Sequence, residues 1–205
     1  MEAKRVAGVT YDDASGTRGI GFDVSVTVSE SHNFSLNRLS RRTVTGFWIL
    51  NQTLAGPSDF YSMHRILNTG GGSNDFCACM FNNGTIYLET QINTNVTPNG
   101  GVCPYAINTW YWVSLLYDAA LGGSHGLAVF SDQGKLLSQQ TKVNNGLTAP
   151  ADTVALGRSG DAGTPAAFIY TDDYFMDTEN GTWPLPPAVY VDQVYLGGLM
   201  KLNFH

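Results

Sequence analysis

The chain has 205 residues, with 11 Lys+Arg against 17 Asp+Glu, a net charge of -6 and a sequence pI near 5.0. That balance excludes a basic phosphate-binding stripe, so nucleic acid is not an expected partner. Charged residues make up 14% and aromatics 12%, with 23 Gly, a composition that serves strands and turns rather than exposed helices.

No apolar run approaches the roughly 18 residues of a membrane span, so no spanning helix is expected. The start, MEAKRVAGVTYDD, lacks the apolar stretch of a secretory signal. The chain is then either cytoplasmic or a mature sequence. N-x-S/T sequons at Asn33, Asn51, Asn83, Asn95 and Asn180 hint at secretion. For Cys77, Cys79 and Cys103 two readings stand: a disulfide from Cys103 to one of the others, or three buried thiols. They lack the histidine pattern of a zinc site.

Strict alternation predicts a half-buried strand over Gly21–Ser29, with Phe22, Val24, Val26 and Val28 on one face. Residues 30–42 are polar and read as a connection with a short edge strand. Strands follow over Thr43–Leu50 and, after Gly56-Pro57-Ser58, over Phe60–Asn68, ended by Gly70-Gly71-Gly72. Asp75–Phe81 and Thr85–Gln91 form a hairpin through Asn82-Asn83-Gly84, because Asn-Gly supplies the positive-φ pair of a type I′ turn. Trp110–Tyr117 is apolar on both faces, as in a strand covered on both sides or one with aromatics on an exposed face. A second hairpin pairs Gly126–Ser131 with Lys135–Gln140 around Asp132-Gln133-Gly134. Asp152–Gly157 is a short strand, 158–188 reads as one long loop rich in aromatics and acids, and Ala188–Leu196 alternates as a last strand. Without a fixed-period repeat, eight or more short strands predict an all-β, two-sheet antiparallel β-sandwich or jelly roll occupying 1–205 as a single domain.

The order of these pieces is informative: GFWIL around Trp48, the N-G hairpin, W-Y-W-V-S-L-L-Y-D at Trp110–Asp118, a hairpin closing on D-Q-G, then DTVALG and VYVDQVYLG. Over residues 43–198 this resembles the LamG-like, concanavalin A-like lectin/glucanase superfamily. Gln133 before the turn glycine and the long 158–188 segment depart from that pattern. The resemblance implies two face-to-face sheets, one concave, in proteins that bind glycans, cleave them or mediate adhesion.

A glycan hydrolase needs two carboxyls about 5–9.5 Å apart, and a strand places them at i and i+2. Of Glu2, Glu30, Glu89 and Glu179 only Glu179 has an acidic i−2 neighbour, Asp177, so catalysis is the minority reading unless Glu89 finds a partner on another strand. A lyase would need a Tyr or His base with a cation, and His64-Arg65 points its two side chains to opposite faces. Binding suits the residues better, because sugars offer a C–H face to aromatic rings and hydroxyls to polar groups. The expected ligand-stacking rings are Trp112, Tyr170, Tyr174, Phe175 and Trp183, with Asn180 as a polar contact, while Trp48 and Trp110 read as interior plugs. Asp172, Asp173, Asp177 and Glu179 are the candidate ligands of a calcium ion, although a solvated acidic loop accounts for them without metal. The expected function is a non-catalytic carbohydrate-binding or adhesion module, extracellular or at the cell surface. Its partners would be a glycan or polysaccharide and other domains of a larger surface protein. A hydrolase or lyase and a self-assembling structural jelly roll are the alternatives.

Overall fold

The structure is a computed structural model; it describes residues 9–11, 20–24, 31–52, 54–55, 61–69, 75–92, 95–98, 103–120, 122–143, 149–160, 167–178 and 181–187. They form strands β1 (Val9–Tyr11), β2 (Ile20–Val24), β3 (Ser31–Ser40), β4 (Arg42–Asn51), β5 (Tyr61–Leu67), β6 (Phe76–Asn82) and β7 (Thr85–Ile92). The second half contributes β8 (Asn95–Pro98), β9 (Cys103–Pro104), β10 (Trp110–Asp118), β11 (Ser124–Ser131), β12 (Leu136–Val143), β13 (Ala151–Gly160) and β14 (Ala167–Asp177). One antiparallel sheet runs β1-β2-β14-β4-β10-β11-β12; the other runs β3-β13-β5-β6-β7-β8, with β9 beside β7. The all-β sandwich expected from alternation is the architecture observed. No helix of the described residues is long and apolar enough to cross a membrane.

Both hairpins form where their turn residues allow. Asn83 (φ 46°) and Gly84 (φ 68°) take the two left-handed positions of the β6–β7 turn. At the β11–β12 turn Gly134 has φ 76°, and the Ser131 hydroxyl accepts the Gln133 and Lys135 amides at 3.2 Å each. Where Val129 faces Ser138 and Phe130 faces Leu136, Leu137 is extra, a bulge at the hairpin's open register.

Two expectations are corrected. Residues 31–40, expected as a connection with a short edge strand, do lie at a sheet edge, but as the full ten-residue β3 paired with β13 and not as a connection. The 158–188 stretch is not one loop: β13 continues to Gly160, and Ala167–Asp177 is an eleven-residue strand between β2 and β4. Asp172 faces Trp48 and Phe175 faces Gly46, so Asp173 and Tyr174 together oppose Phe47. That bulge breaks the two-residue period, which hid the strand. Positions 25–29 of the first predicted strand, and the whole of Ala188–Leu196, lie outside the described residues.

Alternation sends Phe47 and Ile49 of β4, Val113, Leu115 and Tyr117 of β10, and Leu127 and Val129 of β11 into the core. There they meet Tyr61, Met63, Ile66, Cys77, Cys79, Phe81, Ile86, Leu88 and Val154 of the second sheet. All three cysteines are buried free thiols, and burial raises each above its ordinary pKa. The disulfide reading is therefore replaced by the simpler one. The Asn51 sequon is also spent on packing: Asn51 is buried, and its amide donates to the Tyr61 hydroxyl at 2.6 Å.

Polar links cross between the layers. His64 bonds the Ala155 carbonyl through Nδ1 at 3.0 Å and the Thr45 hydroxyl through Nε2 at 2.8 Å. A carbonyl only accepts, so Nδ1 carries the proton and Thr45 donates to Nε2. Gln140 of β12 reaches the other sheet, where its Oε1 accepts the Leu88 amide at 2.8 Å. Because Gln140→Leu removes the acceptor of a buried amide, it should cost about 1–3 kcal/mol in urea unfolding. A loss below a few tenths would mean that water replaces the side chain.

Candidate functional site

The outer face of the first sheet carries the aromatic residues. On β4, Phe47 and Ile49 take the interior, so Gly46, Trp48 and Leu50 face outward. Their β10 partners in register are Ser114, Trp112 and Trp110, whose β11 partners include Ala128 opposite Ser114 and Phe130 opposite Trp112. On the other side of β4, β14 sets Tyr170 opposite Leu50, Asp172 opposite Trp48, Phe175 opposite Gly46 and Asp177 opposite Val44.

Residues 181–187 run back over this face as a strap. The Arg42 guanidinium donates to the Gly181 carbonyl at 3.3 Å and pairs with Asp118 at 3.0 Å. The Leu185 backbone is held at both polar groups: its amide donates to Ser114 Oγ at 3.1 Å, and its carbonyl accepts the Trp112 indole N–H at 2.7 Å. The Trp183 indole donates to the Ser114 carbonyl at 3.3 Å. Glycines make room underneath. A Cβ on Gly126 would meet the Trp183 ring at 2.5 Å, and one on Gly46 would overlap the Trp112 ring and stand 3.0 Å from Leu185. The result is a small second core of Trp112, Ala128 and Phe130, with Trp48, Trp183 and Leu185 packed on it. Trp48 and Trp112 meet edge to face at 5.4 Å.

The expected site residues divide accordingly. Phe175 is 41% exposed on β14, and Trp183 is half-buried on the strap. Trp112 is corrected: at 4% exposure its ring is the floor beneath Leu185 and has no free face for a ligand. Trp48, expected as an interior plug, is half-buried on the outer face because its neighbours Phe47 and Ile49 fill the core. Trp110, expected to be interior too, is half-buried opposite Leu50 on the same face. Tyr170, Asp172, Asp173 and Tyr174 are placed by the backbone of β14, while Glu179 and Asn180 lie outside the described residues. Of the four expected calcium ligands, only the half-buried Asp177 has a described side chain. Among the described residues no three His, Cys, Asp or Glu groups converge as a metal site. Two residues the sequence reading passed over, Gly46 and Gly126, did leave a signal: a glycine inside an otherwise regular strand marks close approach by another segment.

The groups considered for catalysis sit elsewhere. His64 is fully buried between the layers, and that burial lowers its pKa to about 3, so it has no route to a substrate, while Arg65 next to it is half-buried. Glu89 faces Ala78 and Pro98 across the sheet, neither of them a carboxylic acid.

No protein-family model matches the chain, and no curated protein matches it. Solved structures do. The receptor-binding domain of botulinum neurotoxin D is similar at 15% identity and TM-score 0.58, over 87% of this chain and 44% of that one. The binding domain of botulinum neurotoxin DC in complex with SialylT is similar at 12% identity and TM-score 0.59, over 85% of this chain and 42% of that one. The same domain in complex with rat synaptotagmin II gives 12% identity and TM-score 0.58, again over 85% and 42%. The chain spans less than half the length of these structures. At such identities the likeness is one of fold: this is a two-sheet antiparallel β-sandwich. It does not single out the concanavalin A-like family among sandwiches.

Proposed function

We propose that this chain is a non-catalytic carbohydrate-binding or adhesion module acting outside the cell or at its surface. The supporting observation is the convergence of aromatic residues on the outer face of the first sheet. Exposed Phe175 lies opposite Gly46, one outward position from half-buried Trp48, while the strap places Leu185 near Gly46 and the Trp183 ring over Gly126 of β11, farther along the same face. Cross-strand and diagonal neighbours on a sheet lie about 5–8 Å apart, a spacing that suits successive C–H faces of an oligosaccharide. Asp172, beside Trp48 in register, Asp177 and Asn180 supply hydroxyl contacts, with calcium as the cation they and Asp173 and Glu179 would take. The similar domain solved with SialylT makes sialylated glycans sensible first probes; that whole protein is more than twice the matched length, so its binding behaviour enters here only as a choice of probe.

A glycan array run with and without calcium tests the reading. Phe175→Ala, which removes an exposed ring and leaves the second core intact, should weaken the selected glycan at least about tenfold, or some 1.4 kcal/mol. Absence of any glycan above background, or an F175A variant that binds like the parent, would sink it.

A further inference from the structure

We infer that β12 is a self-association edge, at which the strand pairs antiparallel with β12 of a second copy of this chain. β12 ends the first sheet, with β11 as its one strand partner among the described residues. Of its eight residues only Gln140 is buried. Leu136, Leu137 and Val143 are 43%, 44% and 52% exposed, so this one strand holds three of the chain's exposed large hydrophobic side chains. Free edges are normally kept short or guarded with proline and charge. This one runs for eight residues with no proline; its guards are the bulge at Leu137 and one inward-facing charge, Lys142, and they leave the apolar ends uncovered.

The sequence LLSQQTKV brings its exposed apolar ends together in one face-matched register. Opposite β11, Ser138, Gln140 and Lys142 pair with Val129, Leu127 and His125 of the inward face, and Gln139, Thr141 and Val143 with Ala128, Gly126 and Ser124 of the outward one. Partners across an antiparallel pair share a face. A two-fold axis at Gln140 therefore sets Gln139 against Thr141 and Ser138 against Lys142, face with face, and brings Leu137 of the bulge to Val143 at each end. A shift of one residue would oppose inward and outward positions. In this register the two Lys142 groups stand four residues apart along the strands. That is about 14 Å at a rise of about 3.4 Å per residue, beyond the roughly 8 Å screening length at physiological salt. A strand of another protein would fit the backbone but has no reason to repeat the apolar ends. The Gln140 contact to Leu88 uses the side chain and survives the pairing.

Sedimentation of the full chain up to about 100 µM should show a monomer–dimer equilibrium, and Leu137→Lys with Val143→Lys should weaken it at least about tenfold. Because both positions are exposed, the double variant should keep its circular dichroism spectrum. Gln139→Cys combined with Thr141→Cys tests the register. Directly opposed residues lie about 4.5–5.5 Å apart at Cα, within disulfide range, so mild oxidation should give a covalent dimer, while each single variant should not. A wild-type chain that stays monomeric, a lysine variant that dimerises unchanged, or a cysteine pair that fails to cross-link overturns the inference. Dimerisation bears on valency and not on what is bound, so its failure leaves the glycan reading standing, and the converse also holds.

Discussion

The protein should lose stability steeply as the pH falls below 6.5. Burial lowers His64 to about 3. It lowers His125 to about 4, against the opposing pull of Asp118 and Asp75. His125 stacks on Tyr117 with ring centroids 4.5 Å apart and accepts the Asp118 amide at Nδ1 at 3.2 Å; Lys142 lies opposite it on β12. An accepting Nδ1 cannot hold a proton, so charging the ring breaks that bond as well as burying a charge. In the unfolded chain both rings titrate near 6.5, so below that pH the unfolded state holds more protons and is favoured. The stabilisation is fully present above 6.5, declines between 6.5 and 4 for both groups, and goes on declining to about 3 for His64.

Each histidine adds a slope that grows as the pH drops below 6.5 and fades near its folded value, so the two together remove on the order of 5 kcal/mol between pH 6.5 and 4, a large part of the stability of a typical domain. Urea unfolding followed by tryptophan emission at half-unit pH steps measures this. His125→Asn keeps an acceptor near Nδ1 without the titration, and should remove about half of the slope. A stability that stays level from pH 7 to pH 5 would refute the burial of neutral histidines.

The second large effect concerns the strap. Gly126→Val should drive Trp183 off the sheet, because even a Cβ at this position meets the indole at 2.5 Å. Overpacking of this kind costs about 1–3 kcal/mol. Trp183 would move from a half-buried site to water, so the emission should shift to the red while the β-sheet spectrum persists. The decisive comparison is a double-mutant cycle. In a Trp183→Ala background the ring is gone, and Gly126→Val should cost less than about 0.5 kcal/mol. Equal costs in both backgrounds would show that Gly126 matters for some reason other than the strap. If Trp183 contributes to the proposed glycan surface, both single variants also weaken binding, whereas Gln140→Leu should not.

Much of this fold could be read from local chemistry. The Asn83-Gly84 turn needs two positive-φ positions, and its residue types announce them. The strand read over Thr43–Leu50 and the two-sided apolar character of Trp110–Tyr117 likewise survive, as β4 and as a strand covered on both faces. β3 was harder to see because Phe34 and Leu36 are its only alternating apolar pair in a polar stretch, and β14 because its bulge at Asp173-Tyr174 shifts the pattern halfway along. The placement of the aromatic residues was legible only in part. Phe175 and Trp183 stood out as aromatics in an acidic stretch, but the same reasoning put Trp112 on the surface and Trp48 inside.

Residue type and period alone settled that this chain makes antiparallel strands and where two of its tight turns fall, since both depend on a residue and its near neighbours. Which indole is covered and which lies at the surface was decided only in three dimensions. That depends on a strap whose Leu185 lies 73 residues beyond Trp112 in sequence finding space over Gly46 and Gly126. The exclusion of water there is a property of the packed layers, and no local pattern encodes it.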